Sequence, residues 1–221
     1  MAREEAARKG AARRKRLQYV VGGLLAAALL GGLVALAVLG LGGSDATGDP
    51  TQPSDDAAAI ELPAQQTGEL QAAIKTAGCK ATNPEIEGAT HESRSFAPTD
   101  YRTNPPTSGN HTPDWYEDGI YAPGSTPELG KLVHTLEHGR IDVQYKPGTP
   151  EADVAKLEGL LAESEQGYHM LLYENTTGMD AAVAATAWGH SVTCAEMSDD
   201  VFDVLRTFRS SYIDKGPEAA P

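Results

Sequence analysis

The chain has no Cys-x-x-Cys pair, no serine in a Gly-Asp-Ser context, no internal repeat, and no charged side chain between Leu17 and Ser44. Each absence narrows the reading. Without neighbouring cysteines, Cys79 and Cys194 give a thiol–disulfide oxidoreductase little support. Without the Gly-Asp-Ser context, the run Ser108-Gly109-Asn110-His111 only spells the letters of a hydrolase superfamily. A serine and a histidine so close in sequence also make a poor triad, because triads are assembled from distant segments. Basic residues are concentrated at the start. Seven basic and two acidic residues up to Arg16 give that segment +5, so the rest of the chain carries −18 within a total of −13. A surface of that sign repels phosphate instead of releasing its counterions, and no nucleic-acid partner is expected.

The uncharged run is what the sequence offers first. Roughly 20 apolar residues cross the hydrocarbon core, and this run is long enough. Its flank of Arg3, Arg8, Lys9, Arg13, Arg14, Lys15 and Arg16 belongs on the cytoplasmic side. The expectation is a basic cytoplasmic tail over 1–16 and a transmembrane helix over 17–43, single-pass in the cell membrane with the C-terminal domain outside. A secretory signal peptide is the competing reading, although its apolar region usually spans only ~7–15 residues. Both cysteines then lie in an oxidising compartment, where one Cys79–Cys194 disulfide is the simplest state. It would close a 115-residue loop and contribute on the order of 4–5 kcal/mol by loop entropy. Two buried thiols are the alternative.

Residues 44–68 are rich in Gly, Ser, Asp, Thr, Pro and Ala and read as a disordered linker. An extracytoplasmic domain over 69–215 and a tail over 216–221 follow. The domain opens with a helix ending at Gly78, then a Pro- and Gly-rich region from Ala81 to Ser125. Such long irregular segments are often functional. Thr126 as N-cap, Pro127 and Glu128 in the first turn and Gly139 as stop predict a helix from Pro127 to His138. Leu129, Leu132, Val133 and Leu136 share one face, which sets His134 and His138 on the other, towards solvent or the Pro-rich region. Ile141, Val143 and Tyr145 alternate with Asp142 and Gln144 as a half-buried strand. A helix after Thr149-Pro150, strands at Tyr168–Tyr173 and along the run to Cys194, and a last helix through Phe208 complete the order. The fold class is α+β, a small sandwich of helices on a mostly antiparallel sheet in β-α-β-β-α order, preceded by the transmembrane helix.

His134, Glu137 and His138 fit H-x-x-E-H, a zinc-peptidase pattern with two histidines on adjacent helical turns and a glutamate base. That arrangement needs a longer helix than one stopping at Gly139. A non-catalytic metal site is the stronger candidate. His134 and His138 have two-ligand spacing, His111 on the facing loop is the candidate third ligand, and Glu137 or His190 could complete or support the set, which suits zinc or copper. Against it stands a purely structural reading, in which His138 complements the helix end and His134 pins the loop. His91 and His169, with no clear partner, read as surface or strand histidines.

The combination PPTSGNH followed by Trp115, then VHTLEHG running into a strand, then AWG and a closing helix before GPE, resembles the family named domain of unknown function 3105 (DUF3105). The resemblance spans about Leu70 to Glu218. It implies one N-terminal membrane helix and an exported domain, and brings no activity with it. The positions it carries over are Pro105, Pro106, Thr107, Ser108, Gly109, His111, Trp115, His134, Glu137, His138, Gly139 and Trp188. Three functions follow in order: transition-metal binding where PPTSGNH meets the His134/His138 helix, a non-catalytic structural or interaction module with an envelope protein partner, and a metal-dependent hydrolase.

Overall fold

The computed structural model describes residues 48–125 and 127–218. The expected basic tail, the expected transmembrane helix and the expected helix cap Thr126 lie outside the described residues. No helix among those described is long and apolar enough to cross a membrane.

The elements run α1 (Asp55–Ala58), α2 (Leu70–Ala77), β1 (Lys80–Thr82), β2 (Gly119–Ile120), α3 (Leu129–Glu137), β3 (Ile141–Tyr145), α4 (Glu151–Glu163), β4 (Met170–Glu174), β5 (Val183–Ala187), β6 (His190–Cys194) and α5 (Asp200–Tyr212). The six strands form one mixed sheet in the order β1-β6-β5-β3-β4-β2. The β1–β6, β6–β5 and β5–β3 pairs are antiparallel, while β3–β4 and β4–β2 are parallel. The mostly antiparallel sheet read from the sequence is therefore a mixed one, because α4 carries the chain back to start β4 beside β3 in the same direction, as a crossover helix does. The run to Cys194 is two strands, not one: it turns at Trp188-Gly189, where Gly189 adopts a φ of +73°, and Ala187 pairs with His190.

One face of the sheet carries Ile141, Val143, Met170, Leu172, Val183, Ala185 and Val192 and packs against α2, α4 and α5 in the main core. Leu157, Leu160 and Leu161 of α4 and Val201, Phe202, Leu205 and Phe208 of α5 meet it there. The Cys79–Cys194 disulfide is formed, with Cα atoms 4.4 Å apart across a separation of 115 residues, and it pins β1 to β6 at the sheet edge. The opposite face is covered as well. Leu132 of α3 and Tyr121 pack on Leu171 and Tyr173 there. Asp142 and Gln144, expected to face water, are consequently buried and bond among themselves: Tyr173 donates to Asp142 Oδ2 at 3.0 Å, and Asn175 Nδ2 donates to Gln144 Oε1 at 2.7 Å.

Residues 48–68 differ from the expected linker. Thr51 exchanges backbone hydrogen bonds with Ile120 at 2.8 and 2.9 Å, the amides of Gln66 and Thr67 donate to Asp203 Oδ2, and Pro53 and Ala57 are buried. Composition averages over the segment. A few well-placed apolar side chains and backbone bonds to the domain are enough to hold it.

Candidate metal centre

The centre is built between α3 and the Pro-rich segment. That segment folds back on itself, with Gly109 N donating to Gly88 O (3.2 Å), His111 N to Thr90 O (3.1 Å) and Glu92 N to His111 O (2.7 Å). This pairing sets His91 beside His111, ring centroids 4.8 Å apart. PPTSGNH supplies the frame. Pro105, Pro106, Thr107 and Ser108 are buried, Thr107 O accepts from Gly189 N at 2.8 Å, and Ser108 Oγ accepts from Glu87 N at 3.1 Å. Ser108 is thus a buried hydroxyl that holds the Glu87 backbone. The turn bearing Gly189 brings Trp188 to the edge of the His111 ring at 6.0 Å.

On the other side, α3 ends as the sequence predicts. His138 is the last cap, Gly139 takes φ +82°, Gly139 N donates to Leu136 O (3.0 Å) and Arg140 N to Thr135 O (3.3 Å), the double closure of a Schellman motif. The helix presents His134, Glu137 and His138 to the folded segment. They are buried, not solvent-facing. Of the two surroundings the sequence left open, the Pro-rich segment is the one observed.

Glu137 Oε2 lies 3.0 Å from His111 Nε2 and 3.6 Å from His91 Nε2. The His134 ring stands 4.5 Å from that of His91 and 4.7 Å from that of His111. One ligand atom each from His91, His111, His134 and Glu137 falls within 4.8 Å of the others, and a second group, His134, His138 and Glu218, meets the same limit. Ligands 2.0–2.1 Å from a tetrahedral zinc stand roughly 3.3 Å apart, so the first four need to contract by no more than about 1.5 Å at their widest. The indole of Trp115 covers the junction of the two groups, 5.5 Å from His134 and 4.7 Å from His138.

His111 shows how the donors are oriented. Its Nδ1 lies 2.8 Å from Gly109 O, which must accept, so Nδ1 carries the proton and the Nε2 lone pair faces Glu137. A ligand imidazole is commonly fixed in this way by a carbonyl at its far nitrogen. The Nε2–Oε2 approach is close but off the hydrogen-bonding direction, and Nε2 has no hydrogen-bond partner. Among the described residues neither nitrogen of His134 nor Nδ1 of His138 has a partner in hydrogen-bonding geometry, although the Asp114 backbone carbonyl comes near enough to His134 to work against the effect of burial on its pKa.

Burial holds the imidazoles neutral. It lowers the pKa of His111 and of His134, where neighbouring histidines add to the effect, and brings His138 to about 4 with help from His134 and Arg140. Burial and the nearby Glu218 raise the pKa of Glu137. Neutral imidazoles have no proton to lose from the liganding nitrogen when a cation arrives.

All four metal candidates from the sequence, His111, His134, Glu137 and His138, converge here. His190 does not: it stacks on Tyr212 and bonds Asn83 Oδ1 at 2.7 Å. His169 is also elsewhere, its Nδ1 2.5 Å from Asp214 Oδ1. His91 is an exposed histidine on a β-bridge, as expected, but the expectation that it lacks a partner is overturned by its place beside His111, His134 and Glu137, and Glu218 was not singled out at all. Both reach the centre through backbone pairing between distant segments, which leaves no local side-chain signal.

No curated protein and no solved structure matches the chain. The family described as "Protein of unknown function (DUF3105)" matches residues 93–221. That stretch holds α3, His111 and Glu218, begins just after His91, and covers more than half of the sequence. The chain belongs to the DUF3105 family.

Proposed function

We propose that this domain binds a transition-metal ion, zinc or copper, through His91, His111, His134 and Glu137, and that its N-terminal segment holds it at the outer face of the cell membrane. The observation that carries the metal reading is a set of four buried imidazole nitrogens with no partner in hydrogen-bonding geometry among the described residues: His111 Nε2, both nitrogens of His134, and His138 Nδ1. Leaving one buried polar group unpaired costs about 1–3 kcal/mol, and native folds leave only a few such groups. Four such nitrogens on three imidazoles, set between the Glu137 and Glu218 carboxylates, are unexplained by folding alone. An imidazole–carboxylate set suits these metals. Four protein ligands would close a tetrahedral site, which favours holding or sensing an ion over hydrolysis.

The bracing-module reading has one observation behind it, the bond from His111 Nδ1 to Gly109 O. It leaves the other nitrogens unused. The membrane placement is supported by the uncharged run over 17–43 with its basic flank, and by a disulfide, which persists in oxidising compartments.

The test is titration of the chelator-stripped full chain, in detergent micelles, with zinc and separately with copper, beside a His134→Ala/His138→Ala variant. Stoichiometric binding that the variant loses is the expected result. No binding by the wild type, together with a less stable variant, would leave the histidines as braces of the loop.

A further inference from the structure

A four-coordinate ion in the set above uses His91, His111, His134 and Glu137 and leaves His138 and Glu218 over. These two are not idle in the geometry. Glu218 Oε2 lies 3.9 Å from His134 Nε2 and 3.8 Å from His138 Nε2. Both separations are too long for hydrogen bonds and exceed by only about half an ångström the spacing of ligands around tetrahedral zinc. His138 is buried and its Nδ1 has no partner.

The carboxylate is delivered by a built feature. After α5 the chain turns back over the end of α3, where Asp214 N donates to Gly139 O (2.9 Å) and Glu218 N to Glu137 O (3.1 Å). Glu137 O is one of the last carbonyls that a helix end leaves without an intrahelical partner. Gly216 makes the approach possible, since a Cβ there would stand 2.1 Å from Glu137 O and 2.3 Å from Gly139 N. This C-terminal strap therefore fixes Glu218 relative to α3 through its backbone, independently of the carboxylate.

We propose that His134, His138 and Glu218 form a second cation position, taking a divalent transition metal with three protein ligands and one coordination place open to water or an incoming ligand. The proposal rests on the metal reading of the cluster. His134 belongs to both sets, which places the two positions side by side. Glu218, half-exposed at the end of the chain, is the carboxylate that meets an ion arriving from solvent. An ion held here also ties the strap to α3.

The experiment uses the full chain in micelles carrying His91→Ala and Glu137→Gln, which removes two inner ligands and keeps His134, His138 and Glu218. Circular dichroism checks the fold, and His91→Ala alone, at a half-exposed position, replaces the pair if the fold is lost. The expected result is one equivalent of zinc, bound more weakly than by wild type, with Glu218→Gln reducing affinity further by roughly tenfold or more. Zinc should also slow hydrogen exchange of the Asp214 and Glu218 amides, and this protection should vanish with Glu218→Gln. The proposal is overturned if wild type binds zinc but the inner-site variant does not, or if its binding is indifferent to Glu218→Gln. A wild type that binds no zinc overturns the metal reading itself.

Discussion

Replacing Glu137 with glutamine should move stability and metal affinity in opposite directions. In the metal-free chain the carboxylate is buried, its pKa is raised by that burial and by Glu218, and its approach to His111 is not a hydrogen bond. Glutamine keeps the shape and removes the penalised charge, so the metal-free variant should be as stable as wild type or more so. With metal present, the same change removes the one anionic ligand of the inner four. Losing a residue that merely supports a ligand costs 10–100-fold in affinity, so roughly 100-fold is a modest figure for the ligand itself. At free zinc near 100 times the wild-type Kd, binding adds about 2.7 kcal/mol to wild type but about 0.4 kcal/mol to a variant binding 100-fold more weakly. For a domain of this size each kcal/mol is roughly 2–4 °C. Zinc should therefore raise the wild-type Tm by about 5–10 °C and the variant's by about 1–2 °C. Scanning calorimetry of the full chain in chelator and then in buffered zinc measures both signs. An equal zinc shift in the two proteins refutes Glu137 as a ligand, and a metal-free variant that melts several degrees below wild type refutes the claim that its charge is a burden on the fold.

Two buried groups should oppose each other in the pH dependence of the metal-free chain. His138, held at about 4, weakens the fold as pH falls from 6.5 towards 4, whereas Asp142, pushed up to about 8 by burial, weakens it as pH rises from its unfolded value of 3.8 towards 8. Asp142→Asn removes the second slope, so the variant should weaken on acidification more steeply than wild type and stay flat from pH 6.5 to 8 where wild type declines; identical denaturation profiles at pH 4.5, 6.5 and 8 refute this. Replacing both Cys79 and Cys194 with alanine should cost on the order of 4–5 kcal/mol for a loop of this length, read as a lower urea midpoint, and an unchanged midpoint would mean the bridge constrains nothing that unfolds. Gly139→Ala places a side chain at φ +82° and 2.9 Å from the Asp214 Cα, so a loss of roughly 1 kcal/mol or more should come with faster proteolysis after Tyr212, and normal resistance there would separate the helix end from the strap.

The two halves of the centre were legible to different degrees, for a physical reason. His134, Glu137 and His138 are readable because a helix fixes side-chain direction by spacing alone; Gly139 marks its end, while its start is Leu129 after Glu128, two residues later than the expected Pro127. His111 is readable as a candidate from its setting in PPTSGNH. Asp142 and Gln144 were placed in the right element but in the wrong surroundings, because alternation looks the same whether the polar face meets water or a second layer of protein. The β5–β6 hairpin was missed because Trp188-Gly189 was read through as strand, although a glycine at positive φ is what a two-residue turn needs, and the mixed sheet was missed because the helix between β3 and β4 was not taken as a crossover that makes them parallel.

His91 and Glu218 share a deeper cause. Each lies on an irregular segment positioned by backbone donors and acceptors: Thr90, Glu92 and Gly109 for the first, Glu137 and Gly139 for the second. Every residue but proline offers those groups, so the pairing writes almost nothing into the side-chain sequence. What it does leave is a glycine where two backbones come too close for a Cβ. Gly216 is that mark for the strap. In the sequence alone it sits in an unremarked Gly-Pro-Glu near the C-terminus, and only the 2.1 Å that a Cβ would leave to Glu137 O shows why the glycine stands there and the glutamate two residues later reaches the histidines.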